Sequence, residues 1–153
     1  MVGMDCLVDT NIILRAVDRP HPASTQARRA MKLLFRQGST MCVAKQSLIE
    51  AWVVATRPRD VNGFGYSAQF AMEGLAKLKR LFYLLAETDD IYPEWERLVS
   101  ANRVLGKEAY DARLVATMNV HRIKRILTFN IADFKRYEGI QMLHPDDVLS
   151  SKP

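Results

Sequence analysis

The chain has 153 residues, with 22 Lys+Arg against 17 Asp+Glu, a formal net charge of +5 and a pI near 9.4. That length suits one domain spanning 1–153, and 48% hydrophobic with 25% charged residues is globular usage that excludes a disordered chain. The longest apolar run, 81–86, is far too short to span a bilayer, and Asp5 and Asp9 interrupt an amino terminus without a basic start, so no membrane segment or signal peptide is expected and the placement is cytoplasmic.

In chain order, Cys6-Leu7-Val8 reads as a first strand ending at Asp9-Thr10-Asn11, followed by a short helix over 11–17 that stops at Asp18-Arg19-Pro20. Ala27, Ala30, Met31, Leu34 and Phe35 recur at helical spacing over 25–37, with Gly38 as terminator. Residues 40–44 form a second strand. Ser47 is placed to cap a helix running to about Thr56, with Glu50 at its N3 position. Arg57-Pro58-Arg59-Asp60 and Asn62-Gly63-Phe64-Gly65 make a turn-rich loop. Ser67 caps the next helix, whose apolar stripe is Phe70, Ala71, Leu75, Leu78 and Leu81; 82–85 is either a third strand or the end of that helix. A helix opening at Pro93 carries Trp95, Leu98 and Val99, and another covers about 107–121. Residues 125–129 form a strand, 133–137 a helical turn and 140–143 a final strand. Trp52 and Trp95 lie on helical stripes and read as core, as do Cys6 and Cys42, small residues of a reducing compartment rather than a disulfide or zinc site. Strands alternating with helices predict an α/β domain with a mainly parallel sheet and helices on both faces. Ligands of such sheets sit beyond the carboxyl ends of the strands, here after Val8, Ala44 and Phe129.

Four acids stand at or near those places. Asp9 follows the first strand, although Asp before Thr-Asn is equally a helix cap. Glu50 lies on the shoulder of an apolar face, although Ser47-Leu48-Ile49-Glu50 is also a capping box. Asp111 shares a helical face with Leu114, Val115 and Met118, so it must be paired, protonated or bound to a cation; an ion pair with a buried Arg is the simple alternative. Asp133 follows the last clear strand, where it too is able to cap a turn, with Phe134 anchoring the loop. Four acids converging on one pocket repel, and an all-oxygen donor set without His or Cys favours Mg²⁺ or Mn²⁺. His21, His121 and His144 show no ligand spacing and read as surface residues.

These pieces resemble the PIN-domain nucleases, and within them the VapC-type toxins of type II toxin–antitoxin pairs. The resemblance rests on Leu7-Val8-Asp9-Thr10-Asn11, Ser47-Leu48-Ile49-Glu50, Tyr110-Asp111-Ala112-Arg113-Leu114-Val115-Ala116, and Leu127-Thr128-Phe129-Asn130-Ile131-Ala132-Asp133-Phe134, in order and register from Leu7 to about Pro145. The stretch Ala55-Thr56-Arg57-Pro58 with Asn62-Gly63-Phe64-Gly65 is similar to one subgroup. The resemblance implies a Mg²⁺- or Mn²⁺-dependent endoribonuclease with catalytic and metal-binding acids at Asp9, Glu50, Asp111 and Asp133. It also implies supporting polar residues at Thr10, Asn11, Thr128 and Asn130, a cognate antitoxin that blocks the acidic pocket, and a homodimer joined through helices. Many relatives carry an acid where this chain has Asn130, so the fourth carboxylate is assigned to Asp133.

Arg28, Lys32 and Arg36 line one helix face, Lys77, Lys79 and Arg80 cluster, and Arg122, Lys124 and Arg125 precede the last clear strand; Arg28, Lys32, Arg36, Lys124 and Arg125 are the expected RNA contacts, against the plainer reading of a solvated surface. Single-stranded RNA is the expected substrate, its backbone entering the pocket and its bases stacking on aromatics. A haloacid-dehalogenase-like phosphatase is a rival, but Asn11 stands where that class wants its proton-donating Asp. A non-catalytic RNA- or protein-binding module is another. With the four acids set apart as a pocket of −4, 17 − 4 = 13 acids remain against 22 bases, an acidic pit within a basic surface.

Overall fold

The computed structural model describes residues 5–151. Five strands, β1 (Cys6–Val8), β2 (Met41–Val43), β3 (Tyr83–Leu84), β4 (Arg125–Leu127) and β5 (Gln141–Leu143), form one sheet in the order β3-β2-β1-β4-β5, with all four pairings parallel. Around it run α1 (Thr10–Val17), α2 (Ser24–Arg36), α3 (Lys45–Thr56), α4 (Ala68–Leu81), α5 (Ile91–Ala101), α6 (Glu108–Val120) and α7 (Pro145–Ser150).

Side chains alternate across a strand, and here the alternation divides the core in two. Cys6, Val8, Val43 and Leu127 face a cluster with Ile12, Ala27, Ala30 and Leu34, which is the side covered by α1, α2 and α7. Leu7, Cys42 and Ile126 face the other, with Leu98, Val115, Met118 and Phe134, under α5 and α6. The direction of travel explains which helix goes where. From β1 the chain steps outward to β2 and then β3; it next crosses back to β4 and steps the other way to β5. Right-handed crossovers in opposite directions lay their helices on opposite faces. Between β1 and β4 the connections part, and a crevice opens at the carboxyl end of the sheet.

The structure corrects several sequence expectations. Helix α3 begins at Lys45, two residues before Ser47, behind an Ala44 that offers no side-chain cap. Ser47 is fully buried within the first turn, its hydroxyl without a hydrogen-bond partner among the described residues, so Ser47 and Glu50 are not a capping box. The ambiguous segment 82–85 contains a strand, because Tyr83 and Leu84 pair with Cys42 and Val43 once Leu81 has ended the helix. Ser67 does cap α4, accepting from the Phe70 amide. The stripe of α4 is only partly covered: Ala71 is buried, whereas Phe70 and Leu81 are 55% and 74% exposed. Trp52 is likewise half-buried and lines an apolar groove of ≈ 550 Å³ with residues of α1 and α4, rather than sitting in the core. Gly63 lets the 57–65 loop fold back, since a Cβ there would lie 1.9 Å from the Arg57 carbonyl oxygen. Helix α7 was not foreseen; His144 caps it by accepting from the Asp146 amide, and its Val148 completes the first cluster.

Cys6 and Cys42 are both buried free thiols, held unreactive by burial, which pushes them up to about 11 and about 12. No helix among the described residues is long and apolar enough to cross a membrane.

Phe134 is fully buried and belongs to the second cluster, where it fastens the segment after β4. Replacing Phe134 by Ala should cost about 3–5 kcal/mol of unfolding free energy in chemical denaturation, the usual range for emptying a packed aromatic site. A loss below about 1 kcal/mol would mean the segment is held by something else.

Candidate active site

Asp9 follows β1 directly. Its amide donates to the Leu127 carbonyl of β4, 3.0 Å, so the first residue beyond β1 is stitched to the neighbouring strand across the crevice. The side chain is a helix cap and a site carboxylate together. Oδ1 accepts from the Thr10 amide at 2.7 Å, and Oδ2 accepts from the Thr128 hydroxyl at 2.8 Å. Thr128 Oγ1 itself accepts from the Asn130 amide (3.0 Å) and from Asn11 Nδ2 (3.3 Å), while Asn11 Oδ1 accepts from the Phe129 amide (3.2 Å). With its acceptor sites filled by those donors, the single proton of Thr128 has one direction left, toward Asp9. Asn11 therefore bridges backbone and hydroxyl, and the proton donor that a dehalogenase-like phosphatase would need is missing.

The chain of bonds continues away from Asp9. Thr10 Oγ1 donates to Glu50 Oε2 at 2.9 Å, joining α1 to α3. Gln46, one turn earlier on α3, donates through Nε2 to Glu50 Oε1 and to the Tyr110 carbonyl, both at 2.9 Å, joining α3 to α6. Arg113 donates to Gln46 Oε1 (3.3 Å) and pairs with Glu87 (2.8 Å). Sequence reasoning missed Gln46. Its signal was the i, i+4 spacing to Glu50, which puts both on one helix face.

Asp111 lies half-buried in the first turn of α6, with Leu114, Val115 and Met118 buried on its face. The expected alternative, an ion pair to a buried Arg, is absent among the described residues, since Arg113 turns to Glu87. Asp133 sits exposed in a 3-10 turn, Ile131–Phe134, that no side chain caps. Glu108, also unforeseen, pairs with Arg136 at 3.0 Å and ties α6 to the segment behind Asp133.

The four acids converge closely enough to hinder one another's ionisation. Burial, then the charges of Glu50 and Asp133, push Asp9 up to about 6 against the hydrogen bonds from Thr128 and Thr10. Burial, then Asp133, Asp9, Glu50 and Glu108, push Asp111 up to about 7. Among the described residues none of the four acids has a Lys, Arg or His partner. Nor do any three metal-ligating side chains there stand close enough to enclose one ion. The hydrogen bonds of Thr10, Gln46 and Thr128 hold the carboxylates at separate stations. Such a set fits Mg²⁺ or Mn²⁺, hard cations that take one or two carboxylates and keep much of their water.

The expected RNA-contacting cations are not gathered here. Arg36 ends α2, and Lys124 and Arg125 lie at the start of β4, at the amino edge of the sheet and opposite the acids. In a parallel sheet, residues that lead into a strand necessarily lie at that edge. Arg125 bonds the Asp5 carbonyl and Ser39 Oγ, Arg28 bonds Ser24 and Thr25, and Lys32 is exposed on α2.

The chain belongs to the PIN-domain family, whose model matches residues 6–140. Solved structures share the fold at low identity. VapBC2 from Rickettsia felis, bound to a promoter DNA fragment, superposes with a TM-score of 0.70 at 13% identity, covering 92% of this chain and 98% of that one. DNA-bound VapBC from Salmonella typhimurium gives 0.69 at 13%, covering 95% and 99%. A Mycobacterium tuberculosis VapC20 toxin, described as cleaving the sarcin–ricin loop, gives 0.56 at 18%, covering 79% and 86%. Among curated proteins none matches by sequence.

Asp9 and Asp111 hold protons more tightly in the folded chain than unfolded, so the folded state binds more protons between about pH 4 and 7. Stability without metal should therefore fall as pH rises through that window. In EDTA the thermal midpoint should drop by about 5 °C from pH 5.5 to pH 8, and Asp111→Asn should raise the midpoint at pH 8 and flatten the slope. Equal pH profiles for the two proteins would contradict this account.

Proposed function

We propose that this PIN-domain chain is a Mg²⁺- or Mn²⁺-dependent endoribonuclease that cuts single-stranded segments of RNA, and that it is the toxin of a toxin–antitoxin pair. The observation that carries the reading is the set of four carboxylates without cationic partners at the carboxyl end of the sheet. Charge of that density at the head of a crevice destabilises the chain alone and is relieved by a divalent cation.

Asp9 and Asp111, the two carboxylates pushed up by burial and by their acidic neighbours, are the residues that would hold the ion, with Asp133 reaching it through a water rather than directly. When bound, the ion supplies Lewis acidity at the phosphodiester and an acidified water. Glu50 is oriented through both oxygens by Thr10 and Gln46, which suits it to take the proton of the attacking water. Water oxygen bonds to phosphorus, the bond to the 3′ oxygen breaks, and the products carry a 5′ phosphate and a 3′ hydroxyl. Thr128 keeps Asp9 an acceptor, because a Thr proton already aimed at Oδ2 favours the ionised form.

Support for a protein partner comes from the apolar groove lined by Val17, Trp52, Phe64, Phe70 and Leu78, which one copy of the chain leaves open. One solved structure with this fold, from Klebsiella pneumoniae, is a toxin–antitoxin complex. An antitoxin whose chain fills this groove and reaches the acids would silence the site, and that is the arrangement we infer.

Purified protein with millimolar Mg²⁺ should release RNA fragments bearing 5′-phosphate ends. Asp9→Asn and Asp111→Asn should each lower the rate by at least about 100-fold, as removal of a metal-supporting group does, with circular dichroism unchanged. The same ion should raise the thermal midpoint of the wild type and not of Asp9→Asn. Full activity in both variants would overturn the mechanism.

A further inference from the structure

Beside the acids lies a second cavity, ≈ 460 Å³, between α5 and α6. Trp95, Gly106, Lys107, Ala109, Tyr110 and Arg113 line it. Two aromatic rings and two cations share that small space with little else. Tyr110 is 64% exposed although its neighbour Asp111 is half-buried, so its ring offers open surface next to a site acid.

The walls are fixed in place. The Trp95 indole donates to the Ala109 carbonyl at 2.8 Å, and Tyr92 packs on Trp95 with ring centroids 5.5 Å apart. The Tyr110 carbonyl accepts from Gln46, the residue that also holds Glu50. Arg113 is anchored by Gln46 and Glu87. Lys107 is exposed and forms no ion pair among the described residues, so its charge is available.

From this geometry we infer that the α5–α6 cavity is a nucleotide subsite. The base of a single-stranded RNA stacks on Tyr110 and Trp95, and Lys107 takes an adjoining phosphate. An aromatic face beside an unpaired cation is what an unstacked nucleotide needs, since every base has a π-face and every linkage a charge. A duplex keeps its bases stacked inside and has nothing to offer these rings. The location fits as well: Gln46 couples the wall of the cavity to the carboxylate of Glu50, so a base seated there brings its backbone toward the acids. The cations anticipated at Arg36, Lys124 and Arg125 lie at the opposite edge of the sheet, whereas Lys107 and Arg113 line the cavity that carries Tyr110, the residue before Asp111.

This subsite rests on the ribonuclease reading, and its test separates the two. Fluorescent single-stranded RNA of about six nucleotides is titrated with protein in EDTA, where no cleavage occurs, and cleavage with Mg²⁺ is followed separately. Tyr110→Ala should weaken binding by about tenfold and raise KM, whereas Tyr110→Phe, which keeps the ring, should bind as the wild type does. Lys107→Gln should weaken binding and reduce the slope of log affinity against log salt by about 0.7, the share of one phosphate on a single strand. Wild-type affinity and KM in Tyr110→Ala, with cleavage intact, would overturn the subsite and leave the ribonuclease standing. Tyr110-dependent binding without any cleavage would do the reverse, and no binding by the wild type would overturn both.

Discussion

A buried carboxylate at the end of a central strand is the constraint around which this molecule is arranged. Asp9 is only 7% exposed, has no cation beside it among the described residues, and caps a helix at the point where the sheet's connections part. A charge in that position must be met by oriented donors, and the neighbouring elements supply them. Thr128 arrives from the end of β4, Thr10 from the start of α1, and Asn11 braces Thr128 from behind. The same Thr10 reaches on to Glu50, and Glu50 to Gln46 and α6. One line of hydrogen bonds thus crosses the carboxyl end of the sheet and fixes the relative places of β1, β4, α1, α3 and α6.

That line accounts for the electrostatic character of the site. Each donor steadies a carboxylate, yet together they bring acids close that would otherwise stay apart. Burial first, and repulsion after it, raise Asp9 and Asp111 toward neutrality, and folding energy from the two apolar clusters on either side of the sheet offsets the cost. The site thereby costs the folded chain some of its stability, as clustered acids commonly do. The net charge of +5 gives no hint of this, because the acids are drawn into one crevice while the bases are spread over the remaining surface.

The two cavities beside the acids differ in chemistry as well as in place. The groove by α1, α3 and α4 is large and apolar, with Phe70 left exposed at its rim, a surface suited to another protein. The cavity between α5 and α6 is small, aromatic and cationic, a surface suited to a nucleotide. A partner in the first and a substrate in the second would approach the acids from opposite faces of the sheet.

Residue order by itself determined the alternation of strands and helices and the parallel sheet, and it singled out four candidate acids, because periodicity and strand ends are local properties of the chain. It also marked Asp111 as an acid on an apolar face. Other features were not legible. Glu50 carried two readings, site acid and half of a capping box, until the fold started α3 at Lys45 and carried the side chain to Thr10. Gln46 carried no signal beyond its spacing, since its partners lie 4 and 64 positions away. Arg125 looked like a substrate contact, but strand polarity sent it to the far edge. Tyr110 was one exposed aromatic among several until the packing of α5 on α6 set Trp95 and Lys107 around the same cavity. What the sequence determined rests on interactions between near neighbours; what the tertiary structure decided rests on which distant segments the crossovers bring to one edge of the sheet.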